Sequence, residues 1–326
     1  MKAVLIKKPG DESVLEIGDA PDPVPSDDDL LIRVKCAALN RADIMQRQGF
    51  YPPPPGASEI LGLECAGEVA GVGKNVAGWR IGERVMALLP GGGYAQMAVV
   101  HHGSAMKVPP VMNDDEAAAF PEVFLTAFVN LFSLAGVKAG ENVLVHGGGS
   151  GVGTAAIQLL REAGARSIVT AGSDEKCRRC LQFGADVAIN YRKGSFVSGV
   201  RDATNGRGAD VILDSIGAAY LSQNLDALAQ GGRLVLIGLM KGAKGEIDLA
   251  TVLRRHLKIF GSTLRSRAAA EKAQIVRDFL ARFGPALEAG RLRPPIHAAL
   301  PMTQVADAHR MMQASEHFGK IVLRIA

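Results

Sequence analysis

The most legible chemistry in this sequence lies where an apolar run, Asn142-Val143-Leu144-Val145-His146, breaks into Gly147-Gly148-Gly149-Ser150-Gly151-Val152-Gly153 and resumes as an Ala-rich amphipathic stretch. Strand, glycine turn and helix start follow in the order that a dinucleotide pyrophosphate needs. Small residues let the backbone come close, and a helix start presents free N–H groups at the positive end of its dipole. In the Gly-x-Gly-x-x-Gly register Gly148 and Gly153 take the outer places, Ser150 replaces the middle glycine, and Gly151 and Val152 open the helix. The serine hydroxyl can itself donate to a phosphate.

The tip of the next strand decides which dinucleotide is meant. An acid there holds a ribose 2′-hydroxyl, whereas hydroxyl and cationic groups hold a 2′-phosphate. The tip reads Thr170-Ala171-Gly172-Ser173, Lys176 stands one helical turn beyond, and Tyr191-Arg192 follow the third strand. These groups point to NADPH. Asp174 and Glu175 are the contrary signal, read here as first-turn acids complementing a helix dipole. Gly238-Leu239-Met240 end a later strand, on the carboxyl edge where ligands of open α/β sheets collect, and are expected against the nicotinamide.

The elements that must position these groups divide the chain in two. At 326 residues it is long enough for two cores, and its 38 glycines suit a loop-rich α/β protein. The first 120 residues show short β-type runs between Gly, Pro and Asp clusters: Leu30–Lys35, Ala66–Val72, Arg84–Leu88 and Tyr94–Val100, after an opening strand in Met1–Lys7. A partly closed barrel is expected of them. Near Asp114–Phe128 the texture turns to Ala-rich helix.

From Asn142 strands alternate with helices as far as residue 264. Strands are expected at 142–146, 167–170, 187–189, 211–214, 234–238 and 258–263, with helices at 151–163, 174–183, 220–229 and 249–256. Six such strands make a doubly wound sheet. The tail adds a helix at 268–279, a strand at 296–300, a helix at 305–314 and a closing strand at 320–325 that rejoins the first domain. The fold class is α/β, a doubly wound Rossmann domain at 123–264 beside a β-rich domain made of 1–122 and 265–326.

The formal charge of +4 is spread without basic runs, so neither nucleic acid nor a membrane surface is an expected partner. No apolar run approaches the roughly 20 residues of a bilayer span, and the opening strand is too soon charged for a signal peptide. A cytoplasmic protein is expected. The four cysteines, Cys36, Cys65, Cys177 and Cys180, are expected as thiols. Cys177-Arg178-Arg179-Cys180 has redox spacing but falls in mid-helix, and His101-His102 lack spaced partners for a metal.

Over essentially its whole length the chain resembles the medium-chain dehydrogenase/reductase superfamily. Gly62-Leu63-Glu64-Cys65-Ala66-Gly67-Glu68-Val69 looks like that superfamily's Gly-His-Glu motif, with Leu63 where the zinc enzymes carry histidine. Asn40 stands where their first zinc cysteine is expected, and the cysteine lobe for structural zinc is missing. A zinc-independent chemistry is implied. The matches are best to the quinone oxidoreductase branch, of the p53-inducible type. They run through Ala38–Gly49, Tyr51–Gly56, Pro121-Glu122, Leu125–Phe128, Ser150–Leu159, Thr170–Ser173, Leu264–Arg267 and Gly319–Leu323.

The resemblance implies a GroES-like barrel domain, NADPH, a homodimer, and direct hydride transfer to a small quinone or conjugated carbonyl without flavin. Tyr51 matches the family's active-site tyrosine, and Asn40 and Asp43 are the other catalytic candidates, with a turn residue and a helix-start acid as their structural alternatives. Tyr51 donates to the acceptor oxygen or lines its pocket, Asn40 bonds the acceptor or the nicotinamide ribose, and Asp43 orients Asn40 or a ribose hydroxyl. Thr126 matches a position beside the nicotinamide or pyrophosphate, and Arg265 and Lys320 match positions that reach across to the cofactor. An NADPH-dependent enoyl or alkenal reductase is the alternative, differing only in pocket shape. A cofactor-binding structural or RNA-interacting protein, like the lens crystallin relatives, is the non-enzymatic one; the unclustered charge argues against its RNA surface.

Overall fold

In the computed structural model, which describes residues 1–325, the chain forms two compact units, Met1–Leu125 with Leu264–Ala326, and Thr126–Thr263. The first unit opens with a hairpin, β1 (Lys2–Ile6) and β2 (Leu15–Asp19). Then come β3 (Asp29–Ala38), α1 (Arg41–Arg47), β4 (Glu64–Val72), β5 (Arg84–Leu88), β6 (Met97–His101) and β7 (Ala105–Lys107). Two short helices follow, α2 (Asp114–Ala118) and α3 (Pro121–Phe128), and the boundary between the units falls inside α3.

In the second unit β8 (Asn142–His146), α4 (Gly151–Glu162), β9 (Arg166–Ala171), α5 (Asp174–Gln182), β10 (Val187–Asn190), α6 (Phe196–Ala203) and β11 (Ala209–Asp214) alternate, followed by α7 (Leu221–Ala227), β12 (Leu228–Leu236), α8 (Leu249–Arg254) and β13 (Lys258–Gly261). The chain then returns to the first unit with α9 (Ala269–Glu288), β14 (Ile296–Pro301), α10 (Val305–Ala314) and β15 (Lys320–Arg324).

The second unit's six strands are parallel, in the order β10-β9-β8-β11-β12-β13, the doubly wound arrangement with β8 and β11 at the switch point. Leu144, Ile168, Ile212 and Leu234 fill its centre. In the first unit the order is β14-β15-β3-β4-β5-β7, with β6 also pairing β3. Register shifts at Leu31/Ile32 and Val34/Cys36 bend β3, the device by which a sheet curls toward a barrel. β15 pairs with β3, so the last strand is built into the first unit's sheet over a core of Val34, Leu39, Tyr94 and Leu323.

Several expected elements are corrected. Tyr94–Val100 is not one strand: Tyr94 bonds to Leu61 and Val4, Gln96 to Lys2 and Val34, and regular pairing with β3 begins only at Met97. α1 and α6 were not expected, both being short and broken by polar residues. α9 runs on through Pro285 because Phe279, Phe283, Ala286 and Leu287 continue its buried face. Leu228 and Ala229 belong to β12 rather than to the helix before it, and β12 ends at Leu236, so Gly238–Met240 lie beyond its tip.

Candidate functional site

The glycine loop joins β8 to α4. Ser150 caps α4, its Oγ accepting from the Gly153 N–H at 3.0 Å, which leaves the hydroxyl proton to be donated elsewhere. A Cβ on Gly153 would stand 2.3 Å from the Gly147 carbonyl, and one on Gly148 2.6 Å from Val169. Neither position admits a side chain, so the backbone is bare where a diphosphate would approach. The cysteine pair lies on α5 as buried thiols, the Cys180 thiol pushed up to about 12 by burial.

At the tip of β9, Ser173 caps α5 by accepting from the Lys176 N–H at 3.1 Å. The Tyr191 hydroxyl occupies the space that a Cβ on Gly172 would take. Asp174 is engaged beside the tip of β10: its carboxylate accepts from Asn190 Nδ2 at 2.8 Å and from Lys193 Nζ at 2.5 Å, and these partners hold its pKa below the usual range. Arg192 is exposed just after β10. Thr126, in α3, gives its carbonyl to Asn130 Nδ2 at 2.7 Å, at the point where the helix widens into a π-turn over Val129–Leu134. Leu239 and Met240 are exposed.

The first unit holds a second constellation. Lys320 is 2 % exposed, and its Nζ donates to the Leu39 carbonyl at 2.6 Å and to Asn40 Oδ1 at 2.8 Å while standing 2.7 Å from Glu64 Oε1. Asn40 Nδ2 donates to the same Glu64 oxygen at 2.9 Å, which fixes the amide's orientation from both ends. Glu64 Oε2 accepts from the Glu122 N–H at 2.9 Å. Asp43, wholly buried, accepts from the N–H groups of Asn40 and Gly62 and from the Tyr94 hydroxyl. Burial pushes its pKa up to about 6.

Glu122 carries a buried Oε2 with no hydrogen-bond partner, and burial beside the Glu64 carboxylate raises its pKa to about 8. At neutral pH it is mostly the neutral acid. Tyr51 lies beneath the Arg265 guanidinium, 5.3 Å from it, and burial with the nearby Glu122 raises the phenol's pKa. Its hydroxyl is therefore a donor throughout the physiological range.

Arg265 and Lys320, expected to reach across to a cofactor, are both engaged within their own unit. Every hydrogen of the Lys320 ammonium has an acceptor within its own unit. Arg265, 3 % exposed, directs its three nitrogens to the carbonyls of Pro90 and Tyr51 and to Gln46 Oε1. Nor can Asp43, with no exposed surface, touch a ribose. Glu64 and Glu122 were not expected at the site, although both lie in segments that carry the family resemblance. The available signal was the carboxylate that stayed in the Gly-Leu-Glu segment after the metal-ligand type was gone.

The Alcohol dehydrogenase GroES-like domain model matches residues 26–110, and the Zinc-binding dehydrogenase model matches residues 151–282. A quinone oxidoreductase of Lama guanicoe is 33 % identical over 328 residues, covering 99 % of this chain and 97 % of its own. Among solved structures, an NAD-dependent alcohol dehydrogenase is 34 % identical with a TM-score of 0.87, each chain covered in full. A mycobacterial protein complexed with NADPH is 28 % identical with a TM-score of 0.88, again with both chains covered in full. The JamJ enoyl reductase is 26 % identical with a TM-score of 0.88, covering 100 % of this chain and 99 % of its own.

Fold and loop thus define a dinucleotide-dependent oxidoreductase class. The chain belongs to the quinone oxidoreductase-like family of the medium-chain dehydrogenase/reductase superfamily.

Proposed function

We propose that the protein reduces quinones with NADPH by direct hydride transfer, without zinc or flavin, and works as a homodimer. The observation that carries the reading is the full-length likeness to a quinone oxidoreductase, joined to a glycine loop whose crowding at Gly148 and Gly153 fits a dinucleotide diphosphate. Gly151 and Val152 offer the diphosphate their backbone N–H groups and Ser150 its hydroxyl proton, while Gly148 and Gly153, whose N–H groups are taken by the Thr170 carbonyl and Ser150 Oγ, let the backbone come close. Ser173, Lys176, Tyr191 and Arg192 take the 2′-phosphate, and the engagement of Asp174 by Lys193 removes the acid that would repel it. Thr126 and Gly238–Met240 meet the nicotinamide side. When bound, the cofactor supplies a hydride from its reduced ring.

Tyr51 donates its O–H to the acceptor oxygen as that atom gains charge. Asn40 has its amide protons engaged by Glu64 and Ala38, so what it offers a ligand is the remaining lone pair of Oδ1, which suits a ribose hydroxyl rather than a carbonyl. Asp43, Glu64 and Lys320 position Asn40, and Arg265 positions Tyr51. No metal enters this scheme, and stoichiometric zinc in active protein would overturn it.

Reduction of conjugated enoyl groups is the second reading, favoured by the equal fold likeness to an enoyl reductase. NADPH oxidation followed against quinones, alkenals and enoyl thioesters separates the two. The expected outcome is the highest kcat/KM on quinones, with Tyr51→Phe lowering kcat about tenfold or more. Turnover confined to enoyl thioesters would replace the quinone assignment.

A further inference from the structure

The carboxyl ends of β8, β9 and β11 are joined by a line of buried polar side chains that touches none of the residues assigned above to the cofactor through its own side chains. Asp214 is wholly buried and accepts from the N–H groups of Ile216 at 2.6 Å and Gly217 at 3.2 Å. It also accepts from Asn224 Nδ2 at 3.1 Å. Turning this amide over would set its oxygen against a carboxylate, so Asn224 Oδ1 must face the other way. There it meets His146 Nε2 at 2.8 Å.

An acceptor at Nε2 requires a proton on that nitrogen. Burial among Phe196 and Tyr220 keeps the ring neutral, its pKa depressed to about 4. Nδ1 is then an acceptor, and its partner at 3.1 Å is the Thr170 hydroxyl, which must donate. Thr170 Oγ1 in turn accepts from the Gly147 N–H at 3.3 Å, while the Thr170 carbonyl accepts from the Gly148 N–H at 2.8 Å. Every hydrogen bond in the line thereby has a single direction.

Both ends of this line grip a candidate cofactor segment. One end holds Gly147 and Gly148, the start of the glycine loop, and Thr170 itself leads directly into the strand tip at Ala171-Gly172-Ser173. At the other end, the turn that Asp214 pins gives the Ser215 carbonyl to the Met240 N–H at 3.2 Å and the Ile216 carbonyl to the Lys241 N–H at 2.7 Å.

We propose that Asp214, Asn224, His146 and Thr170 form a one-directional hydrogen-bond relay that positions the glycine loop and the Met240 segment together, so that dinucleotide affinity depends on residues that touch no dinucleotide. The relay rests on the cofactor reading above for its consequence, though not for its geometry.

Three measurements test it. In the cofactor-free protein, ¹⁵N shifts of the His146 ring should show a protonated Nε2 and a bare Nδ1; the opposite tautomer overturns the direction of the relay. Thr170→Val keeps the side chain's shape and removes the hydroxyl, and NADPH binding followed by nicotinamide fluorescence should weaken about five- to tenfold. Thr170→Ser should restore it. Equal affinity in all three proteins overturns the proposal.

Amide exchange reads the coupling itself. Asn224→Leu should speed exchange at both Gly147 and Met240, and acceleration at Met240 alone would reduce Asn224 to a local support. If the unaltered protein binds no NADPH, the cofactor reading fails, while the tautomer and the exchange results still decide the relay.

Discussion

Lys320 brings a positive charge to a place nearly closed to water, and it is tolerable there because Glu64, Asn40 and the Leu39 carbonyl take all its protons. Removing one partner of such a pair leaves the other buried and uncompensated. Lys320→Met is expected to lower unfolding free energy by about 3–5 kcal/mol, read from urea titration at constant m. Glu122 behaves oppositely. Its folded pKa, about 8, lies above the ordinary 4.5, so the folded protein holds a proton that the unfolded chain releases across that interval. Stability attributable to this group is full below about pH 4.5 and declines as pH rises toward 8. Glu122→Gln should therefore stabilise the protein, by an increment that grows between pH 5 and pH 8 and is flat above. An increment independent of pH would show that Glu122 is not the titrating group.

At the scale of elements, cofactor choice is concentrated where β9 passes into α5. The Ser173 cap fixes the first turn of that helix, and Asp174 is diverted to Asn190 and Lys193. Ser173→Asp keeps a capping side chain and adds a negative charge, so the NADPH/NADH ratio of kcat/KM is expected to fall at least tenfold, and Lys176→Ala should move it the same way by less. A ratio unchanged in both variants would place the 2′-phosphate elsewhere.

These elements were legible in the sequence because alternation, glycine turns and caps are local signals, and β8, β5 and α10 fall where the residues alone put them. Short α1 and α6 lack the length for periodicity to speak. The polar cluster was half legible. Asn40, Asp43 and Tyr51 sit together in sequence, whereas Lys320 reaches Glu64 across 256 positions, and nothing local tells a buried ammonium from an exposed one. The relay was invisible for the same reason, His146 and Asn224 being 78 residues apart.

For the whole molecule, binding that favours the folded state raises stability by an amount set only by concentration and affinity. NADPH at a hundredfold excess over its Kd should add about 2.7 kcal/mol and raise Tm by a few degrees, with a smaller shift for NADH at the same concentration. Equal shifts would remove the cofactor preference. Among the described residues no helix is long and apolar enough to cross a membrane, and no group of His, Cys, Asp and Glu side chains is arranged to hold a metal ion.

The pairing of β15 with β3 has a consequence for synthesis on the ribosome. The second unit is continuous in sequence and has all its strands once residue 261 has emerged, whereas the first unit's sheet waits for residues 320–324 although its other central strands are made early. Until residue 320 has emerged, Glu64 is without its counter-ion Lys320. The nascent chain therefore carries a finished nucleotide-binding unit beside an open sheet edge at the end of β3, a segment in need of chaperone cover until residues 320–324 emerge.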